Sequence, residues 1–255
     1  MSVKVSIVII SYNQGDFIEA TIKSLMEQTY SNVEFLLIDG GSTDNTMDIV
    51  GKYEDRFSTI IHERDKGQTD AINKGFKLAT GELIGWINSD DILYPDCIEK
   101  IVSIYEKNKD GAIFYSRVID VIDLYGKKYA TYVNDIPDKA YLLRKKYDVN
   151  QQGSFYSAQA LKQVQYLDES LYYCMDLDLW LKLLNWGGIY QEKEKPLAAF
   201  RVGGYDTKTS TGGHRFLKEI RQTLLKHGAS YFDPTVRKTY WEQFKKNLKK
   251  LIGRR

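Results

Sequence analysis

The stretch Val33-Glu34-Phe35-Leu36-Leu37-Ile38-Asp39-Gly40-Gly41-Ser42-Thr43-Asp44-Asn45-Thr46 decides how this chain folds. Its first six residues form a short apolar run, broken only by Glu34, which suits a strand covered on both faces. Asp39 closes the run. Two glycines and a string of short polar residues then make a turn, with Ser42 or Thr43 placed to cap a helix that presents Ile49, Val50 and Tyr53. Strand, carboxylate, turn and helix make one unit of an α/β sheet, where ligands gather beyond the carboxyl ends of the strands.

Working outward, the same unit recurs on both sides. From Val3 to Ile10 every residue except Lys4 and Ser6 is Val or Ile, a buried strand. Ile18, Ile22, Leu25 and Met26 then recur at helical spacing between Gly15 and Tyr30. Thr59-Ile60-Ile61-His62 reads as strand three, and a helix over residues 69–80 follows, with Gly81 as its stop. Leu83-Ile84-Gly85-Trp86-Ile87 is strand four, closed by Asn88-Ser89-Asp90-Asp91. The alternation predicts a mostly parallel central sheet flanked by helices. After residue 111 the rhythm shortens, with a hairpin around Tyr125-Gly126-Lys127, so the second half should be mixed α+β.

Composition excludes several classes. With 36 Lys and Arg against 34 Asp and Glu, the net charge of +2 exerts no overall pull on nucleic acid. Cys97 and Cys174 stand far apart without metal-ligand spacing, which points to reduced thiols and a cytoplasmic setting. No apolar run approaches the roughly 20 residues of a membrane-crossing helix. Neither G-x-x-x-x-G-K-[ST] nor G-x-G-x-x-G occurs, which disfavours triphosphatase and dehydrogenase chemistry.

Neighbouring carboxylates such as Asp90 and Asp91 are, taken alone, more often a solvated turn than a site. They gain meaning from company. The chain resembles family 2 of the glycosyltransferases, with their A-type fold and Rossmann-like nucleotide half, at several places in the family's order. The matching segments are Ile9-Ile10-Ser11-Tyr12-Asn13, Gln28-Thr29-Tyr30, residues 38–46, Asp65-Lys66-Gly67-Gln68-Thr69-Asp70 through Gly75, residues 79–82 and Asn88-Ser89-Asp90-Asp91. Gln152-Gly153-Ser154-Phe155 and Asp176-Leu177-Asp178-Leu179-Trp180 continue the likeness, which spans residues 3–202.

That resemblance implies a site. Asn88-Ser89-Asp90 stands at the family's Asp-x-Asp signature, which makes Asp90 the ligand of Mn²⁺ or Mg²⁺ and leaves Asn88 to bond ribose or phosphate. Asp39 matches the carboxylate that reads the base, against a bland reading as a turn residue bonding its own backbone. Tyr12, between Ser11 and Asn13, would stack on the nucleotide or else fill the core. Lys66, Gly67 and Asp70 precede a helix whose N-terminus would face phosphate, although Lys66 reads equally well as a solvated loop residue. Asp176 matches the general base of inverting members, with Met175 where Glu is frequent, while Asp178 is expected only to oppose the helix dipole. Gln152, Gly153, Trp180 and Arg201 fall on the donor-sugar or acceptor side, Arg201 meeting either the diphosphate or an acidic helix. Tyr156, Tyr172 and Tyr173 are further sugar-groove candidates. The segment from Phe200 to Thr209 lacks the family's His.

The expected organisation is a nucleotide-sugar-binding half at 1–110, an acceptor half at 111–211 and a basic amphipathic helical tail at 212–255. The tail interleaves Arg237, Lys238, Lys245 and Lys246 with Tyr240, Trp241 and Phe244, and either lies on an anionic membrane or packs on the domain by its aromatics. The expected function is inverting transfer from a UDP- or dTDP-sugar to a glycan or lipid-linked glycan hydroxyl, on the pattern of bacterial surface polysaccharide assembly. Alternatives are a sugar nucleotidyltransferase and a noncatalytic nucleotide- or glycan-binding module. A homodimer is compatible with the sequence.

Overall fold

The computed structural model describes residues 2–203 and 212–252, with side chains through residue 248. Gly204, Tyr205, Asp206, Lys208 and Thr209 of the segment after Arg201, and Arg254 and Arg255 of the tail, lie outside the described residues.

The first half alternates as the pattern predicts: β1 (Val5–Ser11), α1 (Ile18–Met26), β2 (Val33–Asp39), α2 (Thr46–Gly51), β3 (Thr59–His62), α3 (Gln68–Leu78), β4 (Leu83–Asn88), β5 (Ile92–Leu93) and α4 (Cys97–Lys107). The second half holds β6 (Gly111–Ser116), β7 (Val118–Ile122), β8 (Lys128–Val133), α5 (Lys139–Arg144), β9 (Phe155–Ser157), α6 (Ala158–Gln163), α7 (Met175–Leu183), β10 (Gly188–Glu192) and β11 (Ala198–Arg201). Two helices follow, α8 (Gly213–Lys226) and α9 (Pro234–Ile252).

Seven strands form the central sheet in the order β10-β6-β9-β4-β1-β2-β3. β4, β1, β2 and β3 run parallel, and β9 alone opposes its neighbours β4 and β6. A smaller sheet, β5-β11-β7-β8, contains the expected hairpin, with Gly126 at φ 80° in its turn.

Strand pleating divides the core. Val8 and Ile10 of β1 join α3 and α7 on one face, while Val5, Ile7 and Ile9 join α1 and α4 on the other. Gly75 lets α3 lie close to β1, since a Cβ there would stand 2.2 Å from Val8 Cγ1. The polar exceptions in these strands answer one another: Glu34 of β2 accepts from Ser6 Oγ and from Thr80 N, and pairs with Lys4 at 2.7 Å.

Several boundaries differ from expectation for identifiable reasons. Ser42 and Thr43 do not cap α2, because the Ser42 hydroxyl goes to Asp39 and Thr43 N to Asn13 Oδ1; Asn45 is the cap residue, and Asp44 Oδ1 accepts from Thr46 N. Helix α3 stops at Leu78, before Gly81. The tail is two helices rather than one, broken where Gly228 adopts φ 100° and Pro234 starts α9.

Candidate active site at the strand ends

Parallel register brings Ser11, Asp39 and His62 to the same level at the ends of β1, β2 and β3. Asp39 is fully buried at their centre. Its Oδ1 accepts from Gly41 N (3.0 Å), Ser42 N (2.8 Å) and His62 Nδ1 (2.7 Å), and its Oδ2 accepts from Ser11 Oγ and Ser42 Oγ, both at 2.6 Å. Burial pushes this carboxyl up, but the Ser11, Ser42 and His62 bonds outweigh it and hold the group below its usual range. Gly41, at φ 84°, makes the turn that aims two backbone donors at one oxygen. Asp39 therefore does more than bond its own turn: it ties three strand ends together, and the Ser11 hydroxyl is committed to that task.

The turn also sets its neighbours. Asn13, at φ 50°, accepts from Thr43 N and donates its own N to Ser42 Oγ. Tyr12 between them is 60% exposed, so it is not a core residue; its ring lies beside Gly40, where a Cβ would sit 3.4 Å from Tyr12 Cδ2. The Asp65 carboxylate crowds the same position. In the β3–α3 loop, Lys66 N donates to Asp70 Oδ2 and Gly67 N to Asp65 Oδ1. The loop's first backbone donors and Asp70 are thus satisfied internally, while the Lys66 side chain is exposed.

At the end of β4, Asn88 and Asp91 knit the rim to the second half. Asn88 Nδ2 donates to Asp91 Oδ2 and Gln151 Oε1, and Asn88 Oδ1 accepts from Gln68. Gln152 Nε2 and Arg201 N also donate to the buried Asp91. Ser89 is buried and donates its N to Ile10 O. Gly153, at φ 70°, turns the chain beside Ala198.

Asp90 is different. It is partly exposed, and among the described residues no side chain donates a hydrogen bond to its carboxylate. Burial raises its affinity for a proton, and its own backbone N–H and the Arg201 charge oppose that only in part. A carboxylate left without a side-chain donor among the described residues fits a divalent cation that takes its remaining oxygens from phosphate and water. Among the described residues no group of three or more His, Cys, Asp or Glu gathers as a complete cage.

Two expected contacts are corrected. Arg201 is buried and meets no acidic helix among the described residues: its Nε donates to Asp90 O, and its Nη1 to the carbonyls of Asp123 and Leu124. Trp180 is fully buried and belongs to the core, where its Nε1 donates to Tyr156 OH and Tyr115 packs edge-on at 5.1 Å. Tyr156 is equally buried and stacks on Trp86, so neither ring lines a sugar groove. The ladder Trp86–Tyr156–Trp180 instead fixes α7 against β4.

Asp176 lies in the first turn of α7, partly exposed, and among the described residues accepts only from Leu177 N. Burial, then the charges of Asp148 and Glu219, raises it to about 6 against the opposition of local backbone bonds. Asp178, two residues on, does more than oppose a dipole. It is fully buried, and His227 and Lys226 from the end of α8 reach its Oδ1 at 2.8 and 3.1 Å. Burial pushes Asp178 up, yet these partners and Lys182 hold it down at about 2.

His62, which holds Asp39, is given no site role by the sequence reading. His62 had a legible signal, since it closes strand three as Asp39 closes strand two.

Comparison with known proteins agrees with this geometry. The family model described as Glycosyl transferase family 2 matches residues 6–165. An uncharacterised glycosyltransferase of Rickettsia typhi is 31% identical over 202 residues, covering 74% of this chain and 61% of its own length. Glycosyltransferase GlyG of Streptococcus pneumoniae is 35% identical over 117 residues, covering 44% and 39%. The chain thus spans less than two thirds of these relatives. Among solved structures, S. aureus TarS in complex with UDP-GlcNAc aligns with a TM-score of 0.70 at 16% identity, over 95% of this chain and 73% of that one. Mannosyltransferase PcManGT of Pyrobaculum calidifontis, in complex with GDP-Man and Mn²⁺, aligns at 0.68 and 15%, over 95% and 72%. At these identities they share the fold. With the family model matching residues 6–165, well over half of the chain, this chain belongs to family 2 of the glycosyltransferases.

Proposed function

We propose that this chain is an inverting glycosyltransferase that moves a sugar from a nucleoside-diphosphate donor, UDP or dTDP, to a hydroxyl of a glycan acceptor in surface polysaccharide assembly. Residues 1–110 hold the donor and residues 111–211 the acceptor. The observation that carries the reading is a contrast among the rim carboxylates. Asp39 and Asp91 are buried and accept from several donors, and the buried Asp178 is held by His227, Lys226 and Lys182, whereas Asp90 and Asp176 remain partly exposed without a donor side chain among the described residues. Family membership sets aside the nucleotidyltransferase alternative.

In this reading the exposed Tyr12 ring supplies a stacking face for the base. Asp39 is saturated, so its direct contact with a base requires one bond to yield; the half-exposed His62 is the partner able to move aside. Asp90 would hold Mn²⁺ or Mg²⁺, which would supply Lewis-acid stabilisation of the departing diphosphate. The fold neighbour PcManGT, in complex with Mn²⁺, supports a divalent cation in this reading. Asp176 takes the proton of the acceptor hydroxyl as that oxygen attacks the anomeric carbon from the face opposite the leaving group. The bond to the diphosphate breaks, and the configuration inverts. A base with a pKa of about 6 is ionised at neutral pH while remaining a competent proton acceptor.

The tail supports attachment to an anionic surface. Thr235, Val236 and Thr239 bury one face of α9. Trp241 and Phe244 are about half exposed beside Lys245 and Lys246, while Tyr240 carries the Arg221 guanidinium of α8 at 4.1 Å and Lys238 lies over Tyr147 at 5.3 Å, so the outer face of the helix offers both aromatic and cationic groups. Among the described residues no helix is long and apolar enough to cross a membrane. Each cation near such a surface contributes about 1 kcal/mol.

The test is to incubate the protein with UDP- and dTDP-sugars, Mn²⁺ and a panel of glycan acceptors, and to read the product anomer by NMR. Metal-dependent release of nucleotide with inverted configuration is expected. Retained configuration would contradict the single-displacement mechanism.

A further inference from the structure

Helix α8 lies along the segment that carries Asp176. Residues 172–174, just before α7, present three backbone N–H groups that α7 itself has no carbonyls to satisfy. Glu219 of α8 takes them all: its Oε1 accepts from Tyr172 N (3.1 Å), Tyr173 N (2.5 Å) and Cys174 N (2.9 Å), and its Oε2 lies 3.2 Å from Tyr172 N. One turn along, Thr223 Oγ1 meets Cys174 Sγ at 3.2 Å. At the end of α8, Lys226 bridges Asp168 at 3.0 Å and Asp178 at 3.1 Å, and His227 reaches Asp178 at 2.8 Å. The Phe216 ring packs edge-on against Tyr173, with centroids 5.9 Å apart. Contacts thus recur at residues 216, 219, 223 and 226–227, the spacing of one helix face.

None of α7's own residues supplies this service: its cap residue is Cys174, which makes no side-chain cap bond. A carboxylate is the group a helix N-terminus favours, because it both accepts the orphan N–H groups and opposes the positive end of the dipole. Here it comes from another helix, 45 residues further along the chain. Asp176 sits two residues beyond the capped Cys174 and two before the clamped Asp178, so the backbone that aims it is fixed on both sides by α8.

Resting on the assignment of Asp176 as general base, we infer that α8 is a working part of the active centre and that Glu219 is a positioning residue for Asp176. The tail then has a second duty besides any surface attachment. Its first helix sets the geometry of proton transfer, and its outer helix is free to meet another surface. Glu219 also stands among the charges that Asp176 feels. The titratable groups facing Asp176, among the described residues, are Asp148 in the loop before β9, Tyr156 on β9, Cys174 beside it, and Glu219 on α8. Glu219 is therefore both an aligning and an electrostatic neighbour. Removing its charge should ease ionisation of Asp176.

The experiment compares wild type with Glu219→Ala and Glu219→Gln, and runs Asp176→Asn alongside. Each is assayed for kcat, donor KM and the pH dependence of kcat/KM, with thermal melts as a check on folding. The Ala variant should lower kcat by ~10-fold or more with donor KM nearly unchanged, as expected when a base loses alignment but the nucleotide half is untouched. The Gln variant keeps an acceptor oxygen and should restore most of kcat, while its acid limb moves to lower pH than in wild type. Wild-type kcat in Glu219→Ala would overturn the inference. So would a folded Glu219→Gln whose acid limb stays in place, and this readout survives even if the Ala variant does not fold. Full activity in Asp176→Asn would instead overturn the functional reading on which the inference rests.

Discussion

Asp39 and Asp176 close corresponding places in the two halves of the molecule, the end of a strand in one and the start of a helix in the other. Burial acts on both in the same direction, disfavouring the charged form. They nevertheless end on opposite sides of their usual value. Asp39 accepts from two backbone N–H groups, two hydroxyls and one imidazole, whereas Asp176 accepts from one backbone N–H among the described residues. Donor count, more than depth, separates the two. The count does not decide alone: Asp91 accepts from Asn88, Gln152 and Arg201 N yet is raised to about 7, because its burial and the adjacent Asp90 charge outweigh those bonds. Asp178 sharpens the point, since it lies two residues from Asp176 yet is held at about 2 by cationic partners.

The largest expected effect comes from breaking the reactive member. Asp176→Asn should lower transfer by ~10²–10⁴-fold while leaving nucleotide binding intact, as measured by initial rates and by calorimetry. The same substitution should not destabilise the protein at pH 8. A carboxyl raised to about 6 from a usual 3.8 favours its protonated form in the fold, so it costs stability as pH rises through that window. Melting temperature at pH 8 should equal or exceed that of wild type.

Breaking the structural member should do the reverse. Asp39→Ala strands five donors at three strand ends and should cost ~3 kcal/mol of stability in denaturant melts. Asp39 also carries the opposite pH sign: its lowered pKa stabilises the fold above the usual 3.8, and that contribution is lost as pH falls below it. Tyr12→Ala should leave melting unchanged, because the ring is exposed, but weaken nucleotide binding by ~1–3 kcal/mol. The smallest effect is His62→Ala, which removes one of the donors to Asp39 and should cost ~1 kcal/mol of stability.

The strand-end carboxylates were legible because they depend on local pattern. Apolar runs that stop at Asp39 and at Asn88, with helical periodicity between them, fix a parallel sheet and the edge where its ligands gather. What each carboxylate does there was not legible, because its partners come from elsewhere in the chain. His62 reaches Asp39 from 23 residues away, and Arg201 reaches Asp90 from 111. Trp180 follows the Asp176 motif directly, yet helical geometry turns it into the core beneath the site. The cap on α7 shows the limit most clearly. No rule of first-turn residues finds Glu219, since the carboxylate that completes this helix belongs to a different one.

The most direct test of the central claim is a melting screen with UDP, dTDP, GDP and CDP, each with Mn²⁺, Mg²⁺ or a chelator, on wild type and Asp90→Ala. A ligand that binds only the folded state at ~100 times its Kd adds about 2.7 kcal/mol of stability. UDP or dTDP should stabilise the wild type only when metal is present, and should fail to do so in the variant. Stabilisation that persists in chelator or in Asp90→Ala would contradict the assignment of Asp90, and no stabilisation by any diphosphate would favour a noncatalytic module built on the same fold.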